Sequence, residues 1–232
     1  MKTSFWTKLF DVISPRSCAI CGRRLSPNEQ VLCAVCHLHL PATGYERKPL
    51  DNPLARLFWG IMPVERAAAL FFYEPKSEIS QLIFDMKYRS RPEVGEAMGE
   101  LTALKFAAKG FFEGIDAIVP MPITRLRQWK RGYNQSMMIA RGVSNITGLP
   151  IYNNVVKRTK FSESQTKKSA LDRLRNVDGV FHLTDAQRIA DKHILLIDDI
   201  ITTGATVSAC GRELAKAHGV SISILSLGMT KS

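Results

Sequence analysis

The residues with most chemistry to offer form the run Ile194-Leu195-Leu196-Ile197-Asp198-Asp199-Ile200-Ile201-Thr202-Thr203-Gly204-Ala205-Thr206. A buried apolar strand leads into two carboxylates and then a Thr/Gly turn that opens a helix. Backbone N–H groups of such a turn and of the helix N-terminus converge on an anion. Thr202, Thr203 and Thr206 add hydroxyl donors, and Gly204 permits the curvature. A phosphate monoester fits there. Asp198 and Asp199 would repel phosphate but accept hydrogen bonds from vicinal hydroxyls, so the run describes a phosphate close to a sugar diol. A strand ending in Asp-Asp also describes the second nucleotide motif of P-loop proteins, but the chain contains no Gly-Lys dipeptide and so no Walker A partner.

A second constellation is Cys18-x2-Cys21 and Cys33-x2-Cys36, with eleven residues between the pairs. A two-residue gap aims two thiolates at adjacent corners of a tetrahedron, and two such turns complete a closed structural zinc site. Gly22 suits the first turn, and Pro27-Asn28 with a strand at Val31-Leu32 suggests one small hairpin between the pairs. Forty residues can hardly bury a core unaided, whereas zinc is worth about 10 to 16 kcal/mol in comparable peptides. His37 and His39 are expected on the surface, and the lone Cys210 as core filler on a helix.

These residues need a scaffold, and the rest of the chain supplies one. Strands are expected at Ala67–Tyr73, Ile115–Val119, Val155-Val156, Val180–Leu183, Ile194–Ile197 and Val220–Leu227. Helices are expected at Ser77–Tyr88, Pro92–Ala108, Asn134–Ile146 and Ala205–Ala217. Repeated strand-then-helix units imply a parallel sheet covered on both faces, with ligands at the carboxyl ends of its strands. The Pro-punctuated stretch 47–53 reads as a boundary or linker. Phe5, Trp6, Leu9, Phe10 and Ile13 at helical spacing predict a short amphipathic helix before the cysteines.

At 232 residues, with 45% hydrophobic and 23% charged residues, the composition is that of a folded globular chain. No apolar run reaches the roughly 18 to 20 residues of a membrane crossing, and no cleavage site follows the N-terminal helix, so a cytoplasmic protein is expected. The net charge of +11 is concentrated. Between Thr124 and Arg175 stand twelve basic residues against two acidic ones, nearly the whole excess. So one-sided a stretch points to a polyanion, either a phosphorylated small molecule or a nucleic-acid backbone. Trp129, Tyr133 and Phe161, interleaved with Arg125, Arg127 and Lys130, would suit a single strand.

The run through Thr206 resembles the phosphoribosyl-pyrophosphate (PRPP) signature of the type I phosphoribosyltransferases. A wider set joins the cysteines and this loop: Asp85-Met86-Lys87-Tyr88, Val119-Pro120-Met121-Pro122, Arg131-Gly132-Tyr133-Asn134-Gln135, Arg158, Gln165, Leu171, Arg173, Asn176 and Gly179. Together they are similar to the ComF family of competence-associated proteins, with Tyr133 where the family often has Phe. The resemblance implies an α/β, type I phosphoribosyltransferase fold over residues 49–232 and an N-terminal helix with a zinc-ribbon-like four-cysteine module over 1–48. It implies PRPP or a related ribose phosphate bound with magnesium. Asp198 and Asp199 would face the ribose hydroxyls and the magnesium's water, and Thr202, Thr203, Gly204, Ala205 and Thr206 would hold the 5′-phosphate.

The loop after Val119 would receive pyrophosphate on Arg125 and above all Arg131, since Arg forks match its oxygens. Asn134 and Gln135 either cap the next helix or touch ligand. Lys157–Arg175, with Arg158, Gln165 and Arg173, matches a loop that closes over the substrate, or is simply a basic loop. A role in DNA uptake, handling single-stranded DNA with a partner helicase, is implied. The alternative is an active enzyme transferring ribose 5-phosphate from PRPP to a base or amine, although no hood for a nucleobase can be identified in the sequence.

Overall fold

The computed structural model describes residues 16–89, 91–159 and 179–231. The expected N-terminal helix, Phe161, Gln165, Arg173 and most of the basic loop lie outside them.

Four strands form one parallel sheet: β1 (Arg66–Tyr73), β2 (Ala117–Pro120), β5 (His193–Ile201) and β6 (Ser221–Thr230), in the order β1-β6-β5-β2. Their residues are mostly buried because both faces are covered. One face carries α3 (Glu78–Tyr88), α4 (Pro92–Ala107) and α6 (Gln135–Thr147), and buried residues of the cysteine module join the same core. The other face carries α2 (Pro53–Arg56), α7 (Ala205–Leu214) and a two-stranded antiparallel ribbon of β3 (Val156–Arg158) and β4 (Phe181–Leu183). The parallel, helix-flanked sheet and the N-terminal cysteine module are those expected. Ile79, Leu82, Ile83 and Met86 on α3, and Val207, Cys210 and Leu214 on α7, are buried as their spacing predicts.

Four local expectations change. No hairpin strand forms at Val31-Leu32; the segment bends into the short helix α1 (Ala34–Leu38), where Cys33 Sγ lies 3.5 Å from the Cys36 N–H. The cations after β2 are not a bare turn but the helix α5 (Arg125–Arg131), started by Thr124 Oγ1 accepting the Arg127 N–H and ended by Gly132 at φ +79. The helix expected to reach Ala217 stops at Leu214. The stretch 47–53 is pinned to the sheet, because buried Asn52 donates to the Lys48 and Ala67 carbonyls while its Oδ1 caps α2.

Both outer strands meet further chain. Residues 41–43 run antiparallel along β1, with Thr43 N–H donating to Leu70 and Phe72 N–H to Pro41. At the other side Ile151 bridges Ile118 of β2. On the α3 face, α4 and α6 cross backbone to backbone: a Cβ at Gly142 would stand 1.9 Å from the Glu96 carbonyl oxygen, and one at Gly99 2.2 Å from that of Ile139. This close crossing sets where the N-terminal end of α6 meets β5.

Candidate functional site

β5 is longer than its apolar run and carries Asp198 and Asp199 inside the strand, with Asp198 in register with Ser226 of β6 and Ile200 with Gly228. Asp198 Oδ1 accepts from the Ser136 hydroxyl at the start of α6, at 3.1 Å, and from the Asp199 N–H at 2.9 Å. Asp199 Oδ1 accepts from the Ile200 N–H at 2.7 Å, and its Oδ2 pairs with Lys87 Nζ at 2.9 Å. The lysine comes from the end of α3. Burial, reinforced by the charge of Asp199, pushes the Asp198 carboxyl up to about 7. Two adjacent acids are thus held by one hydroxyl and one cation, neither of which charge or spacing in the sequence assigns to them.

Beyond the acids the chain turns through Thr202 and Thr203, both exposed, to Gly204 at φ +73, and α7 begins at Ala205. Gly204 is needed on two counts. Its backbone is left-handed, and a Cβ there would touch the Phe58 ring at 3.0 Å. Gly204 offers no side chain to cap α7; the Ala205 N–H donates to Thr203 Oγ1 at 3.4 Å, and the start of the helix borders a hollow of about 50 Å³ lined by Asp198 and residues 200–207. This is the strand, acid pair and glycine turn expected, gathered at one end of the sheet.

At the carboxyl end of neighbouring β2 lies a larger cleft of about 690 Å³. Arg125, Asn134 and Arg158 line it, as does Tyr133. Burial, then the like charge of Arg127, holds the Arg158 guanidinium below its usual value. Arg131 is turned the other way: Nη1 donates to Gln135 Oε1 at 2.8 Å, and its guanidinium lies over the Tyr88 ring at 5.8 Å. Asn134 caps α6 through the Ser136 N–H and donates to the Met121 carbonyl. Gln135 is buried and donates to the Met86 carbonyl, as does the Tyr133 hydroxyl. Of the interleaved aromatics, Trp129 stands free on α5 at 82% exposure, whereas Tyr133 is tied down. Arg141 and Lys157, two cations of the basic stretch, also line the cleft, as do Asn153 and Asn154, which the sequence did not single out, since only the fold brings α6 and the segment before β3 together.

The ligand atoms of Cys18, Cys21, Cys33 and Cys36 all lie within 4.8 Å of one another, with Cys21 and Cys33 Sγ 3.8 Å apart. Thiolates about 2.3 Å from a tetrahedral zinc stand roughly 3.8 Å apart, so the four sulfurs fit such an ion. Burial disfavours the Cys18 thiolate, yet backbone N–H groups of Cys21 and Cys33 outweigh it and bring that thiol down to about 7. His37 and His39 are exposed and do not take part in the cluster, and Cys210 is buried in the core. No helix among the described residues is long and apolar enough to cross a membrane.

No protein-family model matches the chain. Over 221 residues, 92% of this chain and 90% of the relative, it is 27% identical to DNA utilization protein YhgH of Escherichia coli K12. It is 37% identical over 102 residues to Competence protein F of Haemophilus influenzae, covering 44% of each chain. To Competence protein ComFC of Bacillus subtilis it is 32% identical over 107 residues, 45% of this chain and 41% of the relative. Among solved structures it is similar to the glutamine PRPP amidotransferase of B. subtilis complexed with ADP and GMP. That match has a TM-score of 0.41 and 20% identity, over 61% of this chain and 30% of that one. A relative matched along nearly its whole length and two competence proteins matched over almost half support assigning the chain to the ComF family.

Proposed function

We propose that the chain binds PRPP or a related ribose phosphate, with magnesium, at the carboxyl end of β5, and that it serves DNA uptake by handling single-stranded DNA. The observation that carries the first part is the hollow at residues 200–207, where a left-handed glycine and the start of α7 adjoin Asp198, with Asp199 next in the strand. The amides and threonine hydroxyls suit a phosphate, and the acids suit the sugar's hydroxyls. Asp198 and Asp199 offer the hard oxygen donors that magnesium prefers, and the ion would neutralise the ligand's phosphates. Zinc is the ion the four thiolates suit, and its role is structural because all four corners are protein. The DNA role rests on the relatives named for DNA utilization and competence. Exposed Trp129, on a helix that also carries Arg125, Arg127 and Lys130, supports it.

Calorimetric titration of PRPP with and without magnesium tests the ribose-phosphate reading. Binding should require the ion and be abolished by Asp199→Asn; binding that is indifferent to both would refute it. The catalytic reading, transfer of ribose 5-phosphate with release of pyrophosphate, is favoured by the cationic cleft beside the acids, which suits a departing polyanion. Pyrophosphate release across a panel of bases and amines tests that reading.

A further inference from the structure

The cleft at the end of β2 is far larger than a pyrophosphate needs, and its volume of about 690 Å³ lies in the range that encloses a whole small ligand. Its wall is chemically divided. Arg125, Arg141, Lys157 and Arg158 line it, and none of them has a carboxylate partner among the described residues. On α3 and its C-terminal extension, by contrast, Lys87, Arg89 and Arg91 are each paired with an acid. Between the cations lie the apolar side chains of Met137 and Met138, and the amides of Asn153 and Asn154. Unpaired guanidinium groups ask for phosphate oxygens. Thioether and methylene surface accepts the face of a heteroaromatic ring, and side-chain amides match the mixed donors and acceptors of its edge. A pyrophosphate would leave the methionines and amides unused.

We propose that this cleft is a binding site for a phosphate-bearing nucleotide, with its phosphate on Arg141 and Lys157, its base against Met137 and Met138, and the base edge on Asn153 and Asn154. The nucleotide is either free or one unit of a single strand. The inference rests on the ribose-phosphate reading only in making this site the neighbour of that ligand.

The test is titration of the full zinc-loaded chain with four probes: a deoxynucleoside monophosphate, the matching nucleoside, inorganic pyrophosphate and a four-nucleotide single strand. The monophosphate should bind at least about tenfold more tightly than the nucleoside, as loss of one charge-assisted contact implies. It should also outcompete pyrophosphate in the Arg141-dependent site. Arg141→Gln should weaken the monophosphate about tenfold. A strand binding more tightly than the monophosphate assigns the site to single-stranded nucleic acid; equal affinity assigns it to free nucleotides. Equal binding of nucleoside and monophosphate, pyrophosphate displacing the nucleotide at equal concentration, or an Arg141→Gln chain with unchanged affinity would each overturn the proposal. Nucleotide binding without PRPP binding would sink the ribose-phosphate reading and leave this one standing.

Discussion

Gly142→Ala is the smallest change that should dismantle the site from a distance. The added Cβ would stand 1.9 Å from the Glu96 carbonyl oxygen and 2.7 Å from the Glu100 nitrogen. Both are backbone atoms of α4, so no side chain can swing aside, and the helices must part by about 1 Å to restore ordinary contact. Overpacking of this kind costs about 1–3 kcal/mol, and two rigid neighbours place it at the top of that range. Alanine returns roughly 1 kcal/mol through its helix propensity, leaving a net loss of about 2 kcal/mol. For a chain of this size that is a fall in Tm of about 4–8 °C. Gly211→Ala is the matched control. Its Cβ would meet only the thioether end of Met62, at 2.3 Å from Sδ, a flexible group that can move. Its Tm should therefore equal or exceed that of the parent. Thermal melts of the three chains by circular dichroism decide the matter. A Gly142→Ala chain that melts with the parent, or no lower than Gly211→Ala, would refute the argument that the α4–α6 crossing positions Ser136 against Asp198.

Three further outcomes follow from the site. Metal analysis should find one zinc per chain, and Cys33→Ser or strong chelation should expose apolar surface to a dye, because Ala19, Leu25, Val31 and Leu32 share the core of the α3 face. Asp198→Asn should raise the Tm at pH 8 and leave it unchanged at pH 4. Burial and Asp199 hold the Asp198 pKa above its unfolded value, so the folded state binds the proton more tightly, and stability is lost as pH rises from about 4 toward 7. Asparagine keeps both accepted hydrogen bonds without the charge. Gly204→Val should abolish PRPP binding, since it strains a left-handed position and drives a side chain into Phe58; calorimetry with magnesium present checks it.

What the sequence made legible was whatever is local and strongly patterned. The apolar run before Asp198, the Thr/Gly turn and the paired cysteines each announce themselves within a dozen residues. Helix α5 does not, because none of its residues is buried and it shows no apolar stripe; its evidence is one capping threonine and a closing glycine. The Val31-Leu32 strand was wrong because apolar character there serves burial against the module's own turns, where Ala19 N–H donates to the Val31 carbonyl, rather than strand pairing. Ser136 stands 62 residues from the acid it holds, and Lys87 is further still from Asp199, separations at which spacing carries no information. Arg131 has the right type for an anion but is committed to Gln135 and Tyr88.

The antiparallel segment at residues 41–43 follows directly on the cysteine module and lies along the outer side of β1. An unguarded outer strand offers a row of free amides to any other chain. The module therefore shields the sheet as well as standing beside it: chelation that loosened its anchor would open an adhesive seam, and metal starvation would reveal itself as self-association before the turn after β5, two strands away across the sheet, had changed at all.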